Sequence, residues 1–278
     1  MKKSDHFLRK ILAALLVLAI VLPYGFSQAR ADSSYPHEQE IWDNEYATIK
    51  YLKIEPSIGI IGYYLYLDVQ SKTDKTILVG VPESAINNYT CSIGFGSGTQ
   101  ITSGNSAIVT ALLPTQKNYD HLYSIQLKLN IIGDDWNHLA DSDWIELDIS
   151  DPENGPQPET EVDVPAPIID NNFISISYLN VEPVEGIQSH RAVFHLTNKT
   201  SHTISVRIDQ GALNGRMCAS VIGSEFATML AGNKSICPFV FNMLEDIGDL
   251  EEIQFRFHVS DEDTNEELFV SDLFKIEP

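Results

Sequence analysis

The chain has 278 residues, 43% hydrophobic and 21% charged, with 39 acidic against 18 basic side chains and a net charge of −21. So acidic a balance excludes nucleic acid and anionic lipid surfaces as partners, because both would be repelled. The three cysteines are an odd number, which does not make a disulfide framework.

The first segment fixes the expected compartment. Lys2, Lys3, Arg9 and Lys10 precede an apolar run from Ile11 to Leu22, and Ala29-Arg30-Ala31 closes the stretch. That order reads as a signal peptide over 1–31, cleaved after Ala31. The alternative, a membrane anchor, fails on length: about a dozen apolar residues do not cross roughly 30 Å of hydrocarbon. Pro23 and Gly25 interrupt the run as well. No later apolar stretch is long enough to span, so the mature chain is expected to be secreted or held in the cell envelope. Without the leader its net charge is about −25. Ser33 to Asn44 is polar and reads as a lead-in.

From there the chain repeats itself. Shifted by 127 positions, Ile49-Lys50-Tyr51-Leu52-Lys53-Ile54-Glu55-Pro56 registers on Ile176-Ser177-Tyr178-Leu179-Asn180-Val181-Glu182-Pro183. Gly59 then falls on Gly186, Lys72-Thr73 on Lys199-Thr200, Asn87 on Asn214 and Cys91 on Cys218. The register slips by one for Gly104-Asn105 on Gly232-Asn233 and Ile125-Gln126 on Ile253-Gln254, as loop insertions cause. Two domains are therefore expected, 46–150 and 173–278. The segment 151–172 between them is acidic and Pro-rich and reads as an extended, self-repelling linker.

Within each copy the apolar period is two. Leu65, Leu67 and Val69 alternate with polar residues, the turn Ser71–Lys75 follows, and Ile77, Val79 and Val81 resume. Ala192, Phe194 and Leu196, then Ile204, Val206 and Ile208, repeat the pattern, which predicts a β-hairpin with one buried face in each copy. Asn214-Gly215 signals a tight turn. Tyr123–Ile131 and Ile253–Val259 alternate strictly, and a last short strand follows at Trp144–Ile149 and at Leu273–Ile276. A single helical turn is expected at Met243–Ile247, stopped by Gly248. About seven strands in roughly a hundred residues predict an all-β fold, two tandem immunoglobulin-like β-sandwich domains after a signal peptide.

The second copy runs through Asn198-Lys199-Thr200, Asn214-Gly215, Ala231-Gly232-Asn233-Lys234, Leu244–Ile247 and Ile253–Val259. Over 173–278 it resembles an Ig-like β-sandwich module of exported or membrane-anchored proteins of Gram-positive bacteria, sometimes found behind a zinc-ribbon that is not seen here. The shared residues are turn and strand residues. The resemblance implies a fold and brings no catalytic residue.

Cys91 and Cys218 share one repeat position, and Cys237 falls on Val109, which suits small buried hydrophobes; a Cys218–Cys237 disulfide is the alternative. His195 and His202 flank a turn, but Asp68 and Lys75 hold those places in the first copy, which favours a surface pair over a metal site. Asp261, Asp263, Asn265, Glu267 and Asp272 are spaced like the oxygen ligands of a calcium loop, without its central glycine or flanking helices. Acid recurs at Asp134, Asp135, Asp141 and Asp143. Gly94-Phe95-Gly96-Ser97-Gly98 has its serine one place late for a nucleophile elbow. Tyr64, Tyr66 and Trp144, with Trp136, put aromatic area on the outer face of the first domain, as recognition surfaces do. No catalytic or cofactor-binding residue stands out. The expected function is a non-enzymatic binding module for a protein or envelope polymer. A calcium-stabilised adhesive stalk is the second reading, and a hydrolase the remote third.

Overall fold

Alternating side chains make strands wherever one face has a core to enter. In the computed structural model of the protein they do so throughout. The structure describes residues 38–91, 95–96, 98–117, 119–150, 163–184, 188–224 and 227–278. The expected leader and most of the Pro-rich segment lie outside those residues. The first strands are β1 (Gln39–Asp43), β2 (Ala47–Pro56), β3 (Gly62–Ser71), β4 (Ile77–Ile86), β5 (Tyr89–Thr90), β6 (Phe95–Gly96), β7 (Ser106–Pro114), β8 (Ser124–Gly133), β9 (His138–Asp141) and β10 (Ile145–Asp148). The second set is β11 (Ile169–Asp170), β12 (Ile174–Pro183), β13 (Ser189–Asn198), β14 (Ile204–Leu213), β15 (Arg216–Met217), β16 (Ser220–Gly223), β17 (Thr228–Met229), β18 (Lys234–Asn242), β19 (Ile253–Asp261), β20 (Glu267–Val270) and β21 (Phe274–Ile276). No helix among the described residues is long and apolar enough to cross a membrane.

The sheet β1-β2-β3-β7-β6 shares a core with β10-β8-β4-β5. β11-β12-β13-β18, with β16 beside β18, shares a second core with β15-β14-β19-β20. Each core therefore lies between two β-layers. Leu65, Leu67, Ile77, Leu127 and Leu129 fill the first with aliphatic chains. At the places of Leu67, Leu127 and Leu129 the second has Phe194, Phe255 and Phe257, whose rings meet edge to face at 5.1–5.3 Å. Aromatic pairs of this geometry add about 0.5–1.5 kcal/mol each beyond area burial.

The strand pairings recur at the sequence shift. β2 and β3 pair with an irregularity between Tyr51 and Lys53, and β12 and β13 with one between Tyr178 and Asn180. Gly62 faces Pro114 as Ser189 faces Asn242. The two sets also join: β5 meets the start of β18 in parallel, Tyr89 against Lys234, so one ten-stranded sheet runs through both.

Four expectations change. The strands flanking 72–76 and 199–203 are real, but they are not hairpins. β3 and β4 lie in different sheets, as do β13 and β14. Both members of such a pair send the same parity of residue into one core, so alternation does not separate a hairpin from a crossing between layers. Residues 243–247 form a loop rather than a helical turn, because the carbonyls of Ile247 and Asp249 accept hydrogen bonds from Nδ2 of Asn214. The lead-in contains β1, and the expected linker contains β11. Asn44 and Asn171 turn these short strands into β2 and β12, each Oδ1 accepting from the backbone amides two and three residues further on.

Candidate functional site

The acidic loop of the second set is a closed turn. Asp261 Oδ1 accepts from the amides of Asp263 and Thr264 and from the Thr264 hydroxyl. Those donors, the Thr264 amide first, hold its carboxyl below the ordinary 3.8. Glu267 instead joins His258 across the strand pair, Oε2 to Nε2 at 2.6 Å. Among the described residues no three His, Cys, Asp or Glu side chains group as they would around a metal ion. The expected calcium set Asp261, Asp263, Asn265, Glu267 and Asp272 is thus not brought together, since the turn itself uses the first carboxylate. In the first set Asp135 caps its own turn in the same way, through the amide and side chain of Asn137.

The cysteines are all free. Cys237 sits inside β18 with its Sγ 3.5 Å from the Ser224 hydroxyl, while Cys218 follows β15 on the other layer. The Cys218–Cys237 bridge is therefore not formed. Burial pushes the thiol of Cys91 up to about 12 and those of Cys218 and Cys237 up to about 11. Thiols so protonated are poor nucleophiles.

His195 and His202 are not neighbours across a hairpin. His195 lies on β13 opposite Ser177 and Ile236 and is 6% exposed, although its parity points it away from the core. What covers it is the first strand set. The Tyr89 hydroxyl is 3.4 Å from its Nε2, and the two rings meet edge-on at 6.0 Å. Burial, with Lys234 nearby, pushes the imidazole down to about 4. Gln116 completes this seam, accepting from the Ile236 amide at 2.6 Å and donating to the Ser235 hydroxyl at 3.1 Å. Asn233 donates to Gln126 at 3.0 Å, and Ile236 packs on the first core.

The aromatic surface divides. Tyr64 and Tyr66 stand half-buried on the outer face of β3, opposite Glu55 and Lys53 of β2 and Leu112 and Thr110 of β7. Lys53 Nζ lies 4.6 Å from the Tyr66 ring centroid and pairs with Glu55 at 2.7 Å. Trp144 precedes β10 in the other layer, and Trp136 sits at the tip between β8 and β9. Sequence alone lacked the strand order that separates them.

A neighbouring feature had no periodic signal. The turn Ser57-Ile58-Gly59-Ile60-Ile61 leads directly into β3 and leaves three isoleucines in water, 92%, 54% and 51% exposed. It is a fixed turn. The Ser57 amide donates to the Gly62 carbonyl at 2.9 Å, its hydroxyl donates to the Ile60 carbonyl, and the Thr115 amide donates to the Ile61 carbonyl at 3.1 Å. On the same set an open cleft of about 490 Å3 is lined by Glu38, Tyr51, Lys53, Leu122 and Asp148. Burial pushes the Tyr51 hydroxyl up to about 12, so it stays neutral there. Of the Gly94–Gly98 stretch, Gly94 and Ser97 lie outside the described residues.

No family model matches the chain, and no curated protein sequence matches it. Among solved structures, a conserved domain protein from Bacillus anthracis aligns at 12% identity over 92% of this chain and 99% of its own, with a TM-score of 0.28. The secreted serine protease VesC from Vibrio cholerae aligns at 12% identity over 84% of this chain and 51% of its own, with a TM-score of 0.22. At such scores neither likeness bears on fold or function.

Proposed function

We propose that the protein is a non-enzymatic module exported by the leader ending at Ala31. In this reading it is built from two tandem immunoglobulin-like sandwiches and acts by surface contact with a protein or envelope polymer. The strand order supports the Ig-like part: β2-β3-β7-β6 opposite β10-β8-β4 has the ABED-against-CFG arrangement of that fold. The observation that carries the contact reading is the turn of Ile58, Ile60 and Ile61 beside Tyr64. A folded chain gains nothing from holding three branched apolar side chains in water on a hydrogen-bonded turn, whereas a partner that covers them gains about 1.5–3 kcal/mol for each. The test is co-sedimentation of the purified protein with Gram-positive cell-wall fractions and with secreted-protein fractions. Retention by one fraction that is lost in the triple change Ile58→Ser, Ile60→Ser, Ile61→Ser supports the reading. Equal behaviour of the two proteins, or no retention of either, rejects it.

A further inference from the structure

The seam inside the chain joins one end of the first strand set to one face of the second, and each partner has a counterpart elsewhere in the chain. On the giving side are Tyr89, Thr90, Gln116 and Gln126. Their equivalents, fixed by strand register, are Arg216, Met217, Leu244 and Gln254. Ile86 faces Tyr89 as Leu213 faces Arg216, and Ile86 faces Ile125 as Leu213 faces Ile253. Met243 donates to the Gln188 carbonyl as Thr115 donates to that of Ile61, which sets Leu244 on Gln116. On the receiving side are His195, Asn233, Ser235 and Ile236, and the same registers give Asp68, Asn105, Ala107 and Ile108.

The exposures run opposite ways. Within the seam Tyr89, Thr90, His195, Asn233 and Ser235 are buried. At the free ends Met217 is 66% exposed, Leu244 86% and Ile108 44%, and Asn105 is exposed. The chemistry also changes in matched pairs. Tyr89 against His195 becomes Arg216 against Asp68, opposite charges, Arg216 also pairing with Glu245 of its own chain at 3.0 Å. Gln116 hydrogen-bonded to Ser235 and Ile236 becomes Leu244 against Ala107 and Ile108, apolar on apolar. Gln126 with Asn233 becomes Gln254 with Asn105, the same amide pair.

We propose that the protein associates head to tail with a second copy of itself. In that contact Arg216, Met217, Leu244 and Gln254 of one copy dock on Asp68, Asn105, Ala107 and Ile108 of the next, repeating the internal seam. The exchange of residues has a physical reason. The internal seam profits from a covalent link, worth an effective concentration of about millimolar, and stays together with polar contacts. A contact between separate chains lacks that help and needs more apolar area. Because the two surfaces differ, the contact is heterologous: each copy keeps one free end, and chains grow unless the rotation closes a ring. This surface lies at the far end of β3 and β7 from the isoleucine turn, so it stands or falls independently of the proposed envelope contact.

Sedimentation velocity on the purified protein, from about 5 μM to about 1 mM, tests it. The wild type is expected to grow in mean mass with concentration, past the dimer. Leu244→Lys and Ile108→Lys, both at exposed positions, are each expected to weaken self-association at least about tenfold with unchanged melting curves. Mixed at equal amounts they are expected to form a one-to-one dimer and nothing larger, since each retains the surface the other has lost. A wild type that stays monomeric throughout, variants that associate like the wild type, or a mixture without a dimer would each overturn the proposal. The Ile58, Ile60, Ile61 variant is expected to associate normally.

Discussion

The hydroxyl of Tyr89 lies 3.4 Å from Nε2 of His195, linking side chains 106 positions apart. One belongs to a two-residue strand of the first set and the other to the middle of β13 in the second. Around that contact, the ring of Tyr89 carries Lys117 at 5.6 Å and Lys234 at 5.9 Å. The seam is a cationic, aromatic lining around an imidazole that must remain neutral.

Stability should therefore depend on pH through His195. Its folded pKa of about 4 lies below the ordinary 6.5, so between those values the unfolded chain binds a proton that the folded chain refuses. The contribution is complete above pH 6.5 and is lost as pH falls toward 4, by up to roughly 3 kcal/mol. Carboxyls held low, such as Glu252 below 4.5 and Asp261 below 3.8, add to the loss only at the acid end of that window and beyond it. Urea unfolding at pH 7.5 and 4.5 should show the loss, and His195→Gln should reduce it, leaving the part due to His190, whose imidazole burial also pushes down from 6.5. An equal slope in both proteins would remove His195 from the account.

Gln116 is the polar clasp of the seam. Gln116→Ala leaves the Ile236 amide and the Ser235 hydroxyl without this partner, at a cost of about 1–3 kcal/mol. Thermal unfolding should register it, whereas Leu244→Ala, at the equivalent place on the free end and 86% exposed, should change the melting curve little.

Asn87 and Asn214 should behave alike. Both begin the turn after a long strand with positive φ, 52° and 49°, and both staple a distant loop. Asn87 Oδ1 accepts from Tyr123 and Ser124; Asn214 Oδ1 accepts from Glu251 and Glu252. Alanine at either place loses those bonds and strains the backbone, about 2–4 kcal/mol together. Glycine relieves the strain alone, so Asn214→Gly should recover roughly 1 kcal/mol of the loss in denaturant unfolding.

That pair also shows what was legible beforehand. Asn214-Gly215 announces its turn because few residue pairs accept φ above zero twice. Leu67 and Phe194 announce burial because the alternation around them is unbroken. Strand order was not written there: residues on either side of Lys72–Thr76 have one parity whether they pair or cross between layers. Sequence alone accordingly groups Trp144 with Tyr64 and Tyr66, although it precedes β10 in the opposite layer. Asp68 in the matching place of the first copy points to a surface role for His195, and only the docking of one strand set on the other buries it.

Trp136 should be a strained position. Its φ is +62°, the region that favours glycine and asparagine, and it closes the β8–β9 turn, where Asn265 closes the β19–β20 turn at +57°. The indole is 77% exposed, so little packing is lost when it is replaced. Trp136→Asn should raise stability by about 0.5–1 kcal/mol in thermal unfolding. A fall would mean that the ring packs on the protein more than its exposure indicates.

Amide hydrogen exchange at Lys234 and Ile236 bears most directly on the joined sheet. Their N–H groups donate across the seam, to the Asn88 carbonyl at 2.8 Å and to Gln116 at 2.6 Å. With the two strand sets held together, both amides should exchange as slowly as interior amides such as Phe257. Exchange at the rate of an open loop, with Phe257 still protected, would show the halves parting from one another in solution.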